Sequence, residues 1–102
     1  MLDPVAMQEA MDLIVNNEAI LIDVRTEEEW DEGHAQIALH IDVDDIENGM
    51  RPDVAKEMPI YLYSKAGQRA EHAKEILIDD GYVNVNNLGG LQDWIAIGGA
   101  VE

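Results

Sequence analysis

The sequence predicts an α/β domain in which a parallel sheet is covered by helices on both faces. Three observations lead there. Short apolar runs alternate with amphipathic stretches from one end of the chain to the other. The run Ala19 to Val24 is almost wholly apolar, the pattern of a strand buried on both faces. Capping residues stand where the amphipathic stretches begin or end. A length of 102 residues supports one domain over 1–102 with one core, and is short for two.

Along the chain, "PVAMQEAMDLIV" at 4–15 carries apolar side chains near helical spacing, with Asp3 ahead of it and Pro4 suited to the first turn. "NNEAILIDV" supplies a turn and the strand 19–24, which reads as central. Thr26 and Glu29 have the spacing of a capping box, so a short helix follows, and Gly33 is placed to stop it. "IALHIDV" at 37–43 predicts a second strand, and "DDIENGM" to about Lys56 a weak helix or loop. Pro59 opens a third strand, "IYLY", at 60–63. From Gln68 to Asp80, Ala70, Ala73, Ile76 and Leu77 share one helical face, and Gly81 reads as the cap beyond it. "YVNVNNLGG" supplies a last short strand and a Gly-rich turn, and "LQDWIAIG" a closing helix. No repeat, low-complexity tract or linker interrupts the series.

Twenty-two acidic residues against six basic ones give a formal charge of -16. Such a field repels nucleic-acid phosphates and anionic membranes, so partners of those classes are not expected. No stretch has the ~18 apolar residues of a membrane span, and the first residues lack the basic-then-apolar order of a signal peptide. The chain therefore reads as cytoplasmic, or periplasmic where a signal has been removed. With no cysteine there is no disulfide, thiolate or cysteine-ligated metal. Three scattered histidines lack ligand spacing, and no cofactor is implied.

The stretch that departs from this background is "YLYSKAGQRAEHAKEIL", at 61–77. Residues 58–70 hold no acid and two cations, Lys65 and Arg69, in a chain otherwise crowded with carboxylates. In a parallel sheet the binding crevice lies beyond the carboxyl ends of the strands, where the segment "SKAGQRA" falls. If it folds back with a helix starting near Gln68, its amides and the helix dipole converge on a small anion.

With those residues in view, the chain resembles a single-domain rhodanese, a family of sulfurtransferases and their inactive relatives. Three segments carry the resemblance: "LIDVRTEEEWDEGH", with its Asp-x-Arg, acidic helix and Gly-His; "IYLYSKAGQRAEHAKEIL", the active-site strand, loop and helix; and "GYVNVNNLGGLQDW", the last strand with its Gly-Gly-x-x-x-Trp ending. The resemblance implies a five-stranded parallel sheet flanked by helices. It also implies a loop cysteine that takes sulfane sulfur from a donor such as thiosulfate and passes it to cyanide or a thiol. By that resemblance the nucleophile position is Ser64, the substrate-binding cradle runs through Lys65, Ala66, Gly67 and Gln68, and Arg69 closes it. Four residues separate Ser64 from Arg69, like the sulfurtransferase loop; related phosphatases carry one more. "GHAQIA" at 33–38 and Ala70 depart from the family pattern without touching the fold.

Serine does not ionise where a cysteine thiolate would, so little or no sulfur transfer is expected with Ser64 in place. The chain is then either a sulfurtransferase silenced by a Cys→Ser change or a natural non-catalytic module that binds an anion or a protein through the same loop. Serine hydrolase chemistry is disfavoured, because Leu62 and Ala66 stand where G-x-S-x-G needs glycine and His72 is expected to face solvent. Asp23, Arg25 and His34 read as structural support: Asp23 receiving loop amides, Arg25 pairing with Glu29 or nearby acids, His34 as a hydrogen-bonding post. His40 reads as a strand side chain, and Trp30 and Trp94 as core. Asp42, Asp44 and Asp45 form a solvated acidic turn, since Ile46 and Glu47 stand where a calcium loop needs an oxygen ligand and a glycine. Lys65 is the cation expected to be free for a ligand or partner.

Overall fold

A computed structural model describes residues 2–102. Its elements in chain order are α1 (Pro4–Val15), β1 (Ile20–Asp23), α2 (Glu27–Asp31), β2 (Leu39–His40), α3 (Val43–Glu47), β3 (Ile60–Ser64), α4 (Gln68–Asp79), β4 (Val85–Gly90) and α5 (Leu91–Ala96). The four strands form one sheet in the order β2-β1-β3-β4, and every pairing is parallel. Ile20 to Asp23 register against Ile60 to Tyr63, so β1 and β3 occupy the interior of the sheet.

Side chains alternate across β3 as strand geometry requires. Ile60 and Leu62 join Ile22, Ala70, Ala73 and Leu77 in a core between the sheet and α3 and α4. Tyr61 and Tyr63 join Met7, Ile14, Leu88 and Trp94 in a second core, beneath α1 and α5. All five residues of β3 are buried. Each fully buried Ile or Leu contributes about 2 kcal/mol relative to exposure. The local signals behave as physics dictates: Asp3 Oδ1 accepts the Ala6 amide at 2.8 Å, and the Thr26–Glu29 capping box is formed in both directions.

Three differences from expectation stand out. The sheet has four strands rather than five. The irregular stretch 48–59 contains Pro52 and Pro59 and few β-formers, and adds no strand between α3 and β3. The strand expected over 37–43 shrinks to Leu39–His40, because a turn closes with the Ala38 amide on the Ala35 carbonyl and Asp42 already caps α3. Trp30 is not core. It is half-buried and stacks on His34, with ring centroids 3.5 Å apart, and on His40 at 4.8 Å. Arg25, expected to pair with Glu29 or nearby acids, pairs with Asp23.

Trp94 is core at 2% exposure, and its Nε1 donates to the Ala100 carbonyl at 2.9 Å. The closing residues fold back so that Val101 bridges Ala35 in antiparallel fashion. No helix of the described residues is long and apolar enough to cross a membrane.

Candidate active site

β3 ends at Ser64, at the carboxyl edge of the sheet, and α4 begins at Gln68. The chain reverses in three residues because Gly67 takes a left-handed φ of +98°, a conformation cheap only for glycine. The loop also presses on β4. A Cβ on Gly90 would stand 2.2 Å from the Lys65 carbonyl oxygen, so only a glycine there lets the loop lie this close.

Ser64 is 1% exposed, and its Oγ accepts the Gly67 amide at 3.0 Å and the Ala70 amide at 3.3 Å. The side chain at position 64 thus caps α4 from outside, since Gly67 has none of its own to offer. Three further amides of the turn, those of Ala66, Gln68 and Arg69, have no acceptor among the described residues. Lys65, Ala66 and Gln68 are exposed. The arrangement places converging donors and a helix N-terminus around one buried side-chain atom, which stabilises negative charge there.

Arg69 is only half-buried, and its fork is occupied. Nη1 and Nη2 donate to Glu29 Oε1 and Oε2 at 2.7 and 2.9 Å. The hydrogen bond from Arg69 holds the Glu29 carboxyl down to about 2, against burial that opposes it, and Glu29 in turn raises Arg69. Arg69 therefore ties α4 to α2, and its charge is largely spent on that pair. Among the described residues Lys65 makes no ion pair, whereas Arg25, Arg51, Lys56, Arg69 and Lys74 each do.

Below the loop lies a buried polar cluster. Asp23 Oδ1 accepts the Arg25 amide at 2.8 Å, and Asp23 Oδ2 receives the Arg25 Nη2 at 2.8 Å and the Tyr63 hydroxyl at 2.6 Å. Tyr63 also accepts the Ala35 amide at 3.0 Å. Burial, reinforced by the bond to Asp23, pushes the phenol far above its usual range. Burial pulls Arg25 down, but the hydrogen bond and charge of Asp23 more than offset it and the guanidinium is raised. Arg25 Nη2 further donates to the Gly33 carbonyl at 2.6 Å. These residues hold β1, β3 and the turn at 33–35 together, with every carboxylate oxygen of Asp23 engaged.

His34 lies in that turn: Nδ1 bonds the Trp30 carbonyl at 2.8 Å, and no bond connects it to the loop at 64–69. His40 Nε2 bonds the Arg25 carbonyl at 2.8 Å. His72 is exposed and bonds Glu47 at 2.8 Å, so no histidine stands on the Ser64 hydroxyl as a base.

Sequence reasoning gave no role to Tyr63, Gly90 and Asn87, and saw Glu29 as a cap and a candidate partner of Arg25, not of Arg69. Asn87 is 9% exposed. Its Nδ2 donates to the Gly67 carbonyl at 2.9 Å and to Glu71 Oε1 at 3.1 Å, and its Oδ1 accepts the Gly89 amide at 2.9 Å.

The family model for the rhodanese-like domain matches residues 6–97 of this chain. The chain belongs to the rhodanese-like family. It is 37% identical over 73 residues to the thiosulfate sulfurtransferase PspE of Escherichia coli, covering 71% of this chain and 70% of that protein. The human single-domain sulfurtransferase TSTD1 superposes with a TM-score of 0.78 at 25% identity, over 87% of this chain and 91% of that one. A structure described as rhodanese with anions from E. coli aligns with a TM-score of 0.72 at 33% identity, over 82% and 96% of the two chains. In this rhodanese-like chain the loop from Ser64 to Arg69 is thus the turn between the third strand and the fourth helix of a four-stranded sheet.

Proposed function

We propose that this rhodanese-like domain is a sulfurtransferase scaffold for moving sulfane sulfur from thiosulfate or a persulfide to cyanide or a thiol, with its nucleophile position occupied by Ser64. The observation that carries this reading is the pair of amides, from Gly67 and Ala70, on the buried side-chain oxygen of residue 64. Two such donors at a helix N-terminus lower the pKa of a thiol by several units, and a thiolate is the species that attacks a sulfur–sulfur bond. The relatives named as thiosulfate sulfurtransferases support the donor class.

With a cysteine at this position, the thiolate attacks the outer sulfur of thiosulfate, and the sulfur–sulfur bond breaks with its electron pair leaving on sulfite. The resulting persulfide gives its outer sulfur to the acceptor nucleophile and the thiolate returns. The serine hydroxyl stays protonated and forms no persulfide, so the chain as written does not turn over. The loop retains three unpaired amides and Lys65 for holding an anion, and the E. coli rhodanese described with anions favours that second reading, an anion- or partner-binding module.

The test is a thiosulfate:cyanide assay on the protein and on Ser64→Cys, with intact mass after exposure to thiosulfate. Turnover and a gain of one sulfur in Ser64→Cys alone support the sulfurtransferase reading. A folded Ser64→Cys that gains no sulfur overturns it in favour of the binding module.

A further inference from the structure

We propose that Asn87 is a positioning residue that sets the acidity of whatever nucleophile stands at position 64. The proposal rests on the sulfurtransferase reading only for its biological use, because the quantity it predicts is a proton affinity.

Asn87 reaches the loop from β4, across the sheet from the side chains that hold Asp23. Its Nδ2 donates to the carbonyl of Gly67 at 2.9 Å, the same residue whose N–H donates to the position-64 side chain at 3.0 Å. Gly67 is the pivot of the turn and has φ of +98°, so nothing in its own covalent structure fixes its orientation. With its carbonyl held by Asn87 and by the Glu71 amide at 3.0 Å, the plane of the Gly67–Gln68 peptide is set, which anchors the Cα from which the neighbouring peptide and its N–H extend toward residue 64. One consequence is that the Gly67 and Ala70 amides aim at a single atom. Another is that the peptide joining Gly67 to Gln68 is polarised by donation to its carbonyl, which strengthens the unpaired Gln68 N–H as a donor at the cradle. The second Nδ2 contact, to Glu71 Oε1 at 3.1 Å, holds the only first-turn carboxylate of α4 at Asn87. Oδ1 is fastened by the Gly89 amide, so the side chain cannot turn over without losing all three bonds.

Replacing Asn87 frees the pivot. The donors to residue 64 then spread over several orientations, and a preorganised pair of charge-stabilising bonds becomes an average of weaker ones. In a Ser64→Cys background the thiol pKa should rise by about one unit in Asn87→Leu, leaving roughly tenfold less thiolate at any pH below both pKa values.

The experiment is the pH dependence of iodoacetamide alkylation of Ser64→Cys, which has a single thiol, alone and with Asn87→Leu. Asn87→Ser serves as a second variant that keeps a polar atom near the Gly89 amide if Asn87→Leu does not fold. Ile14→Val, in the core beneath α1, is the control for general destabilisation. A rise with either Asn87 variant and none with Ile14→Val supports the proposal. An unchanged alkylation pKa in a folded Asn87 variant, or an equal rise with Ile14→Val, overturns it. Failure of the sulfurtransferase reading appears separately, as an acidic thiol in Ser64→Cys that takes no sulfur from thiosulfate.

Discussion

Arg69 grips Glu29 through both arms of its guanidinium, at 2.7 and 2.9 Å. The pair joins the first turn of α4 to α2 across 40 residues of sequence. It makes the loop arginine a strut and leaves Lys65 as the loop cation outside an ion pair among the described residues.

Acid should therefore weaken the fold in a defined window. Glu29 has its carboxyl lowered from 4.5 to about 2 by Arg69, so the stabilisation is full above about 4.5 and is lost as pH falls through about 2. Because both side chains are partly exposed, solvent screening reduces the contribution to about 1 kcal/mol at neutral pH. Glu29→Gln should lower the unfolding free energy measured by urea denaturation by that amount at pH 7 and by much less at pH 2. An equal loss at both pH values would contradict the assignment.

Tyr63→Phe should cost about 1–3 kcal/mol, since it strips the phenol from Asp23 and leaves the buried Ala35 amide without an acceptor. Chemical denaturation measures it. A change within a few tenths of a kcal/mol would mean that water replaces the hydroxyl at no cost.

Gly90→Ala should do more damage than its single methyl implies. The added carbon meets the Lys65 carbonyl at 2.2 Å, so the loop must retreat from β4, at a cost of about 1–3 kcal/mol. In the Ser64→Cys background, alkylation of the thiol should lose its low-pH phase as the Gly67 and Ala70 amides move off. Retention of both stability and thiol acidity would show that the contact relaxes elsewhere.

Lys65→Glu in the Ser64→Cys background should raise KM for thiosulfate several-fold with little change in kcat, and added salt should shrink the difference. The reason is that Lys65 is the cation outside an ion pair among the described residues. A kcat effect without a KM effect would place the ammonium in the chemistry rather than in attraction.

Ser64 and its loop were legible because the signal is local: an apolar run, a glycine and an amphipathic helix within 17 residues of sequence. The capping box of Thr26 and Glu29 was legible for the same reason, but the second duty of Glu29 was not, because Arg69 lies 40 positions away. Asn87 sits in a strand that reads as apolar-poor, and its partner Gly67 lies 20 residues earlier; no periodicity marks such a side chain. Trp30 looked like core by residue type. α2 has only five residues and buries none of them, so the indole finds its cover in His34 and His40.

By itself the sequence determined the order of helices and strands, the parallel sheet they imply, the position of the turn at 64–69 and its family resemblance. These follow from periods of hydrophobicity and from caps that act within four residues. Only the tertiary structure decided the number of strands, the pairing of Arg69 with Glu29 and of Arg25 with Asp23, and the anchoring of Gly67 by Asn87. Each of those depends on which groups the packed sheet brings within 3 Å of one another, and in a chain with 22 carboxylates and six cations many pairings satisfy the same residues equally well until the backbone chooses.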